Sequence, residues 1–142
     1  MRRNFESGKS TRENFGTILM KKPKYDKKKI VKKLDTLWSI KIRERDKICQ
    51  KCQKTKATQA AHIFSRRNLS TRWSLANGIG MCYFCHMFWA HREPVEFTLW
   101  ITQKIGKSEF RSLNDANNSV FSASRLRDPK EVQKIIERLK TL

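Results

Sequence analysis

Acidic residues are scarce in this chain: 13 Asp and Glu stand against 32 Lys and Arg, for a formal net charge of +19. Solubility does not require such an excess, because interspersed charges of both signs serve it equally well. A phosphate-bearing partner is the natural explanation. Long apolar runs are also missing. None approaches the 18 residues of a membrane span, which excludes a transmembrane helix. No lipidation motif is present, and no strongly amphipathic Lys/Trp helix stands alone, so a membrane surface is the weaker reading of the charge. The first residues are charged and lack an apolar segment, so no secretory signal is expected. The cysteines are then expected to be reduced rather than paired in disulfides. No internal repeat is evident. A length of 142 residues, 38% of them hydrophobic and including four Trp and eight Phe, predicts one compact domain with a modest core and a tail.

What the chain does contain is concentrated between Cys49 and His91, a stretch holding all four cysteines and all three histidines. Two Cys-x-x-Cys pairs, Cys49/Cys52 and Cys82/Cys85, bracket His62, and His86 follows the second pair directly. Such a turn places two thiolates on one side of a tight knuckle, within reach of a tetrahedral Zn²⁺ at about 2.3 Å. Two knuckles complete a four-sulfur structural site. A thioredoxin-like redox motif is the competitor, but it has no use for a second pair. The 29 residues between Cys52 and Cys82 exceed what a minimal zinc ribbon needs and are expected to form structure of their own. Ligation in small zinc domains is worth about 10–16 kcal/mol, so metal-stripped protein is expected to unfold.

Between the knuckles the order is His62 in AHIFSR, Asn77 in NGIGMC and His86 in CYFCH. This pattern resembles the HNH endonucleases, and most closely small phage-encoded members that share the layout RERDKICQKC, AAHIFSRR, TRW, NGIGMCYFCH and PVEF. The resemblance covers roughly residues 38–113. It implies an α+β fold built on a small zinc-stabilised ββα-metal core, to which the residue patterns outside it add flanking helices and a basic N-terminal arm. It implies a metal-dependent DNA endonuclease that hydrolyses phosphodiester bonds. His62 is then the general base, His86 a ligand of a catalytic Mg²⁺ or Mn²⁺, and Asn77 the residue that ties the loop and orients the base. The chemistry agrees, since a neutral imidazole accepts a proton near pH 7 and a hard divalent cation neutralises phosphate charge.

One slot departs from the pattern. Many members carry an Asp or His just before the base, and here that position is Ala61. His91 is the obvious substitute ligand, but five residues beyond His86 it falls about 140° round an α-helix. Ligand, phosphate contact and plain helix-end residue all stay open for it. The blander alternative is a non-catalytic zinc-ribbon nucleic-acid-binding protein, with His62 merely a buried, hydrogen-bonded histidine.

Residues 1–26 read as a basic flexible arm, broken by Gly8, Gly16 and Pro23. Residues 27–113 read as the nuclease domain with flanking helices. Its first helix runs from Lys27 to Asp46, with Ile30, Leu34, Leu37, Trp38 and Ile42 as a packing stripe and Arg43, Arg45 and Lys47 placed near DNA. Thr58–Phe64 and a segment from Asn77 are predicted strands, and Tyr83–His91 a helix. Arg66, Arg67 and Arg72, in the loop beside the base, are candidate DNA phosphate contacts. Pro94 starts a helix with Phe97, Trp100, Ile101 and Ile105 buried. Gly106 ends it, and Phe110 and Leu113 anchor a short successor. Residues 114–127 are predicted to be a polar loop. Asp128, Pro129 and Glu131 suggest a capping box for a last helix, with Val132, Ile135, Ile136, Leu139 and Leu142 on one face. That face serves either the domain or a dimer. Sequence specificity is not visible, branched and single-stranded substrates stay open, and the expected location is the cytoplasm of a bacterial or phage-infected cell.

Overall fold

The computed structural model describes residues 25–141, and most of the expected basic arm, together with Leu142, lies outside them. Helix α1 spans Lys27–Arg45, and its cap residue Asp26 accepts a hydrogen bond from the backbone N–H of Lys29. Leu34, Trp38 and Ile42 form its buried stripe, at the i, i+4, i+8 spacing that keeps one helix face inward. Strands β1 (Gln59–His62) and β2 (Gly78–Met81) pair antiparallel, with His62 opposite Gly78 and Ala61 opposite Ile79. A helical segment follows and widens into a π-helix over Cys85–Ala90. Helices α2 (Pro94–Ile105), α3 (Lys107–Asn118) and α4 (Pro129–Lys140) complete the chain, with a 3₁₀ turn at Ala123–Arg127 before α4. The fold is therefore mixed α+β with a two-stranded sheet. Among the described residues no helix is long and apolar enough to cross a membrane.

The interior has two centres. One gathers Leu34, Trp38, Ile42, Trp73, Leu126, Ile136 and Leu139, so α4 packs back onto α1. The other gathers Cys49, Ala61, Ile79, Met81, Cys85, Phe97 and Ile101 around the cysteine knuckles. The hairpin sits between them and lies unusually close to α1. A Cβ on Gly78 would stand 2.5 Å from both Ile42 Cδ1 and Trp38 Cζ2, so only glycine allows this approach. Arg45 ties the same junction. Its guanidinium forks onto Asp46 and donates to the carbonyls of Leu75 and Gly78. Arg45 is thus a structural tie rather than the free DNA-facing cation expected.

Two expectations for the C-terminal third are corrected. Helix α3 runs on to Asn118 instead of giving way to loop at residue 114. Its polar end is held because Asn117 accepts from Asn68 and Thr71 through its side-chain oxygen and from Ser70 through its carbonyl. Asp128 caps α4 by accepting from the N–H of Lys130, but the capping box does not close. The Asp128 N–H already donates to the carbonyl of Arg125, and Glu131 instead binds Arg125 and Lys134.

Candidate functional site

Four cysteines from the two knuckles meet below the hairpin, with their sulfurs all within 4.8 Å of one another. Four sulfurs on a tetrahedral ion with bonds of about 2.3 Å stand about 3.8 Å apart, so the cluster can hold a metal ion such as zinc. Backbone geometry builds the knuckles. The N–H of Gln53 donates to the carbonyl of Cys49, Gln53 turns the chain onward with a positive φ of 56°, and the N–H of Gln50 pins the first knuckle to the carbonyl of Gly80. Hydrogen bonds from the backbone of Lys54 and the side chain of Thr55 pull the Cys52 thiol down to about 6. Cys85 is pushed the other way by burial and by its neighbours Cys82 and Cys49. Four crowded thiols cannot all ionise together without a cation, and a dication between them removes that conflict.

Above the sheet lies a cleft of about 510 Å³ lined by Asp35, Trp38, Ser39, Ala60, His62, Ser65, Arg66, His86 and His91. All three histidines of the chain reach it. His62 ends β1, and its Nε2 lies 2.9 Å from the carbonyl oxygen of Arg72. A carbonyl only accepts, so Nε2 carries the proton and Nδ1 keeps its lone pair. The ring lies flat on Trp38, with centroids 3.8 Å apart and planes 12° off parallel. Trp38 is held in turn by donating through Nε1 to the carbonyl of Ser74 at 2.8 Å. Burial lowers the His62 pKa below the usual histidine value, against the Arg72 carbonyl and Asp35, which raise it. The ring is therefore neutral at physiological pH.

Asn77 is fully buried at the end of the 3₁₀ turn that leads into β2. Its side chain accepts from the N–H of Phe64 at 2.7 Å and donates to the carbonyls of Phe64 and Thr71. One amide thus closes both ends of the loop between the strands. Arg72, expected to grip phosphate, has its donors engaged elsewhere. It forks onto Asp35 at 2.9 and 2.7 Å and donates to the carbonyl of Arg66. Its part in the cleft is played by its carbonyl on His62. Arg66 and Arg67 are exposed, Arg66 at the cleft itself.

On the opposite wall the Nε2 atoms of His86 and His91 lie 3.1 Å apart. The 140° separation expected for an α-helix does not apply, because this turn is a π-helix and the N–H of His91 bonds the carbonyl of His86, five residues back. That wider turn swings residue i+5 over residue i. Imidazole nitrogens bind a metal at about 2.0–2.1 Å, so two of them on adjacent coordination positions stand about 2.9–3.4 Å apart. The pair fits one cation. Burial and the neighbouring His91 push the His86 pKa down to about 4. Its Nδ1 is buried with no partner among the described residues, where a ligating imidazole would ordinarily donate to a second group. Ala61 points the other way, into the knuckle core, because neighbouring residues on a strand face opposite sides.

The Asp35 clamp and the Trp38 stack were not recognised from sequence. Burial opposes ionisation of Asp35, yet the hydrogen bonds from Arg72 and from Trp73 outweigh it and hold its carboxyl below the usual range. One signal was available: Asp35 is the lone acid in a lysine-rich helix until Glu44, one turn from Trp38. No family model, curated protein or solved structure matches the chain.

Proposed function

We propose that the protein is a metal-dependent DNA endonuclease of the HNH type, with β1, β2 and the Cys82–His91 segment as its ββα-metal unit and zinc on the four cysteines. One observation carries this reading. His62, a neutral ring whose Nε2–H is fixed on the Arg72 carbonyl, lines the same cleft in which the Nε2 atoms of His86 and His91 converge at 3.1 Å.

In this reading His62 Nδ1 takes the proton of the attacking water. The Nε2–H bond to the Arg72 carbonyl keeps the ring in the competent tautomer and steadies the imidazolium that forms. Arg66 and Arg67 bind the phosphates flanking the cut, with guanidinium groups suited to forked contacts. His86 and His91 hold the catalytic cation. Two imidazoles favour Mn²⁺ over Mg²⁺, whose preferred ligands are oxygens. When bound, that cation neutralises charge growing on the phosphate and on the departing 3′ oxygen. With reduced thiols, such an enzyme works in the cytoplasm of a bacterial or phage-infected cell.

The test is conversion of supercoiled plasmid to nicked or linear circles by zinc-loaded protein with and without added Mn²⁺. His62→Ala is expected to slow cleavage by about 10²–10⁴-fold while DNA binding persists. An unchanged rate in that variant would exclude His62 as the base. The second reading, a non-catalytic nucleic-acid-binding protein, is favoured by the inward-facing Ala61, which leaves two protein ligands for the cation. It predicts binding without cleavage under every metal.

A further inference from the structure

The outer face of the helical segment that carries His86 and His91 is aromatic and, among the described residues, uncovered. Tyr83 is 57% exposed, Phe84 68% and Phe88 42%. Their rings form one ridge. Phe84 and Phe88 stack with centroids 5.5 Å apart, Tyr83 meets Phe88 edge-on at 6.0 Å, and the Arg92 guanidinium sits 4.9 Å over Phe88. Among the described residues nothing packs these side chains away: the knuckle core takes Cys85 and Trp89 from the same segment, and the cleft takes His86 and His91. Leaving three aromatic rings in water costs the hydrophobic stabilisation that burying them would supply.

We propose that this ridge stacks unpaired bases of single-stranded DNA whose phosphates lead into the histidine cleft, so that the preferred substrate contains a single-stranded segment. Every base has a π-face, so exposed rings beside a cation accept a strand without reading its sequence. The net charge of +19 selects a polyanion and opposes a second copy of the chain, which would bring like charge against like charge. Phe88 stands three residues before His91 on the segment whose histidines line the cleft, so one strand can engage both. The inference deepens the nuclease reading and rests on it for the direction of the strand.

Fluorescence anisotropy of the zinc-loaded full chain, without added Mn²⁺ or Mg²⁺, tests it with three labelled probes at one salt concentration: an oligothymidylate, an abasic strand of equal length, and a duplex. Wild type should bind oligothymidylate more tightly than the abasic strand. The double variant Phe84→Ala/Phe88→Ala should lose about tenfold or more on oligothymidylate and change less than about twofold on the other two. Phe84→Tyr/Phe88→Tyr should keep the preference, and zinc content should match wild type in both variants. An equal loss on all three probes, or none on any, would overturn the proposal. So would a variant that turns a dimer into a monomer in sedimentation while still binding oligothymidylate normally. Binding is read without turnover, so failure of plasmid cleavage and failure of base preference are separate results.

Discussion

The two walls of the cleft are held by different physics. His62 stands on apolar packing and protein hydrogen bonds: Trp38 beneath it, the Arg72 carbonyl on Nε2, and Asp35 holding Arg72. That wall is continuous with the α1–α4 core. His86 and His91 stand on a π-helical turn that springs directly from Cys82 and Cys85, and their region is the knuckle core. One wall is finished by the chain itself, whereas the other rests on a cysteine cluster that can hold a metal ion. Metal supply should therefore govern the second wall far more than the first.

The strongest way to break this comparison is at the knuckles. Cys49 is fully buried; zinc chelation removes ligation worth about 10–16 kcal/mol in small zinc domains, and Cys49→Ser removes one of its four sulfurs. Loss of cooperative thermal unfolding is expected by calorimetry. Retention of near-UV circular dichroism from Trp38 and Trp73 alone would show that the helical core outlives the knuckles and would sharpen the contrast. A smaller effect is expected from Leu139→Ala, which empties a fully buried position where α4 meets α1. It should cost about 2–5 kcal/mol by urea unfolding and leave the zinc content unchanged.

The smallest effect concerns the seat of the base. Burial holds the His62 pKa below the usual histidine value, so the ring takes up its proton at a lower pH than an exposed histidine does. Under the nuclease reading the acid limb of cleavage lies at lower pH than an exposed histidine would set. Asp35→Asn keeps the fold but loosens Arg72, so the plateau rate should fall about tenfold. Loss of the Asp35 charge should also move the limb further to acid, because that charge raises the His62 pKa. A limb that stays put in this variant would mean that another group sets it.

Much of the architecture was legible because it is written in local patterns. The α1 stripe, the Pro94 start, the Gly106 break and the Asp128 cap depend on neighbours within one or two turns. The cysteine spacing likewise announced a four-sulfur cluster. The end of α3 was not legible, because Asn117 is held by Asn68, Ser70 and Thr71, some 50 residues earlier in the chain. Arg72 and Arg45 misled for the same reason: an arginine in a basic chain looks free until the carboxylate and carbonyls that take its donors are seen. His91 was misplaced by assuming 3.6 residues per turn where the helix is wider.

By itself the amino-acid order determined which atoms are available: four thiols, three imidazoles, one buried amide and a large positive charge. Tertiary structure alone decided which of them meet. The tautomer of His62 depends on a carbonyl ten residues away, the pairing of His86 with His91 on a single i+5 hydrogen bond, and the stack on Trp38 on a glycine that lets a strand touch a helix. Such contacts follow from the path of the backbone and from how its segments pack, which the pattern of residue types did not reveal.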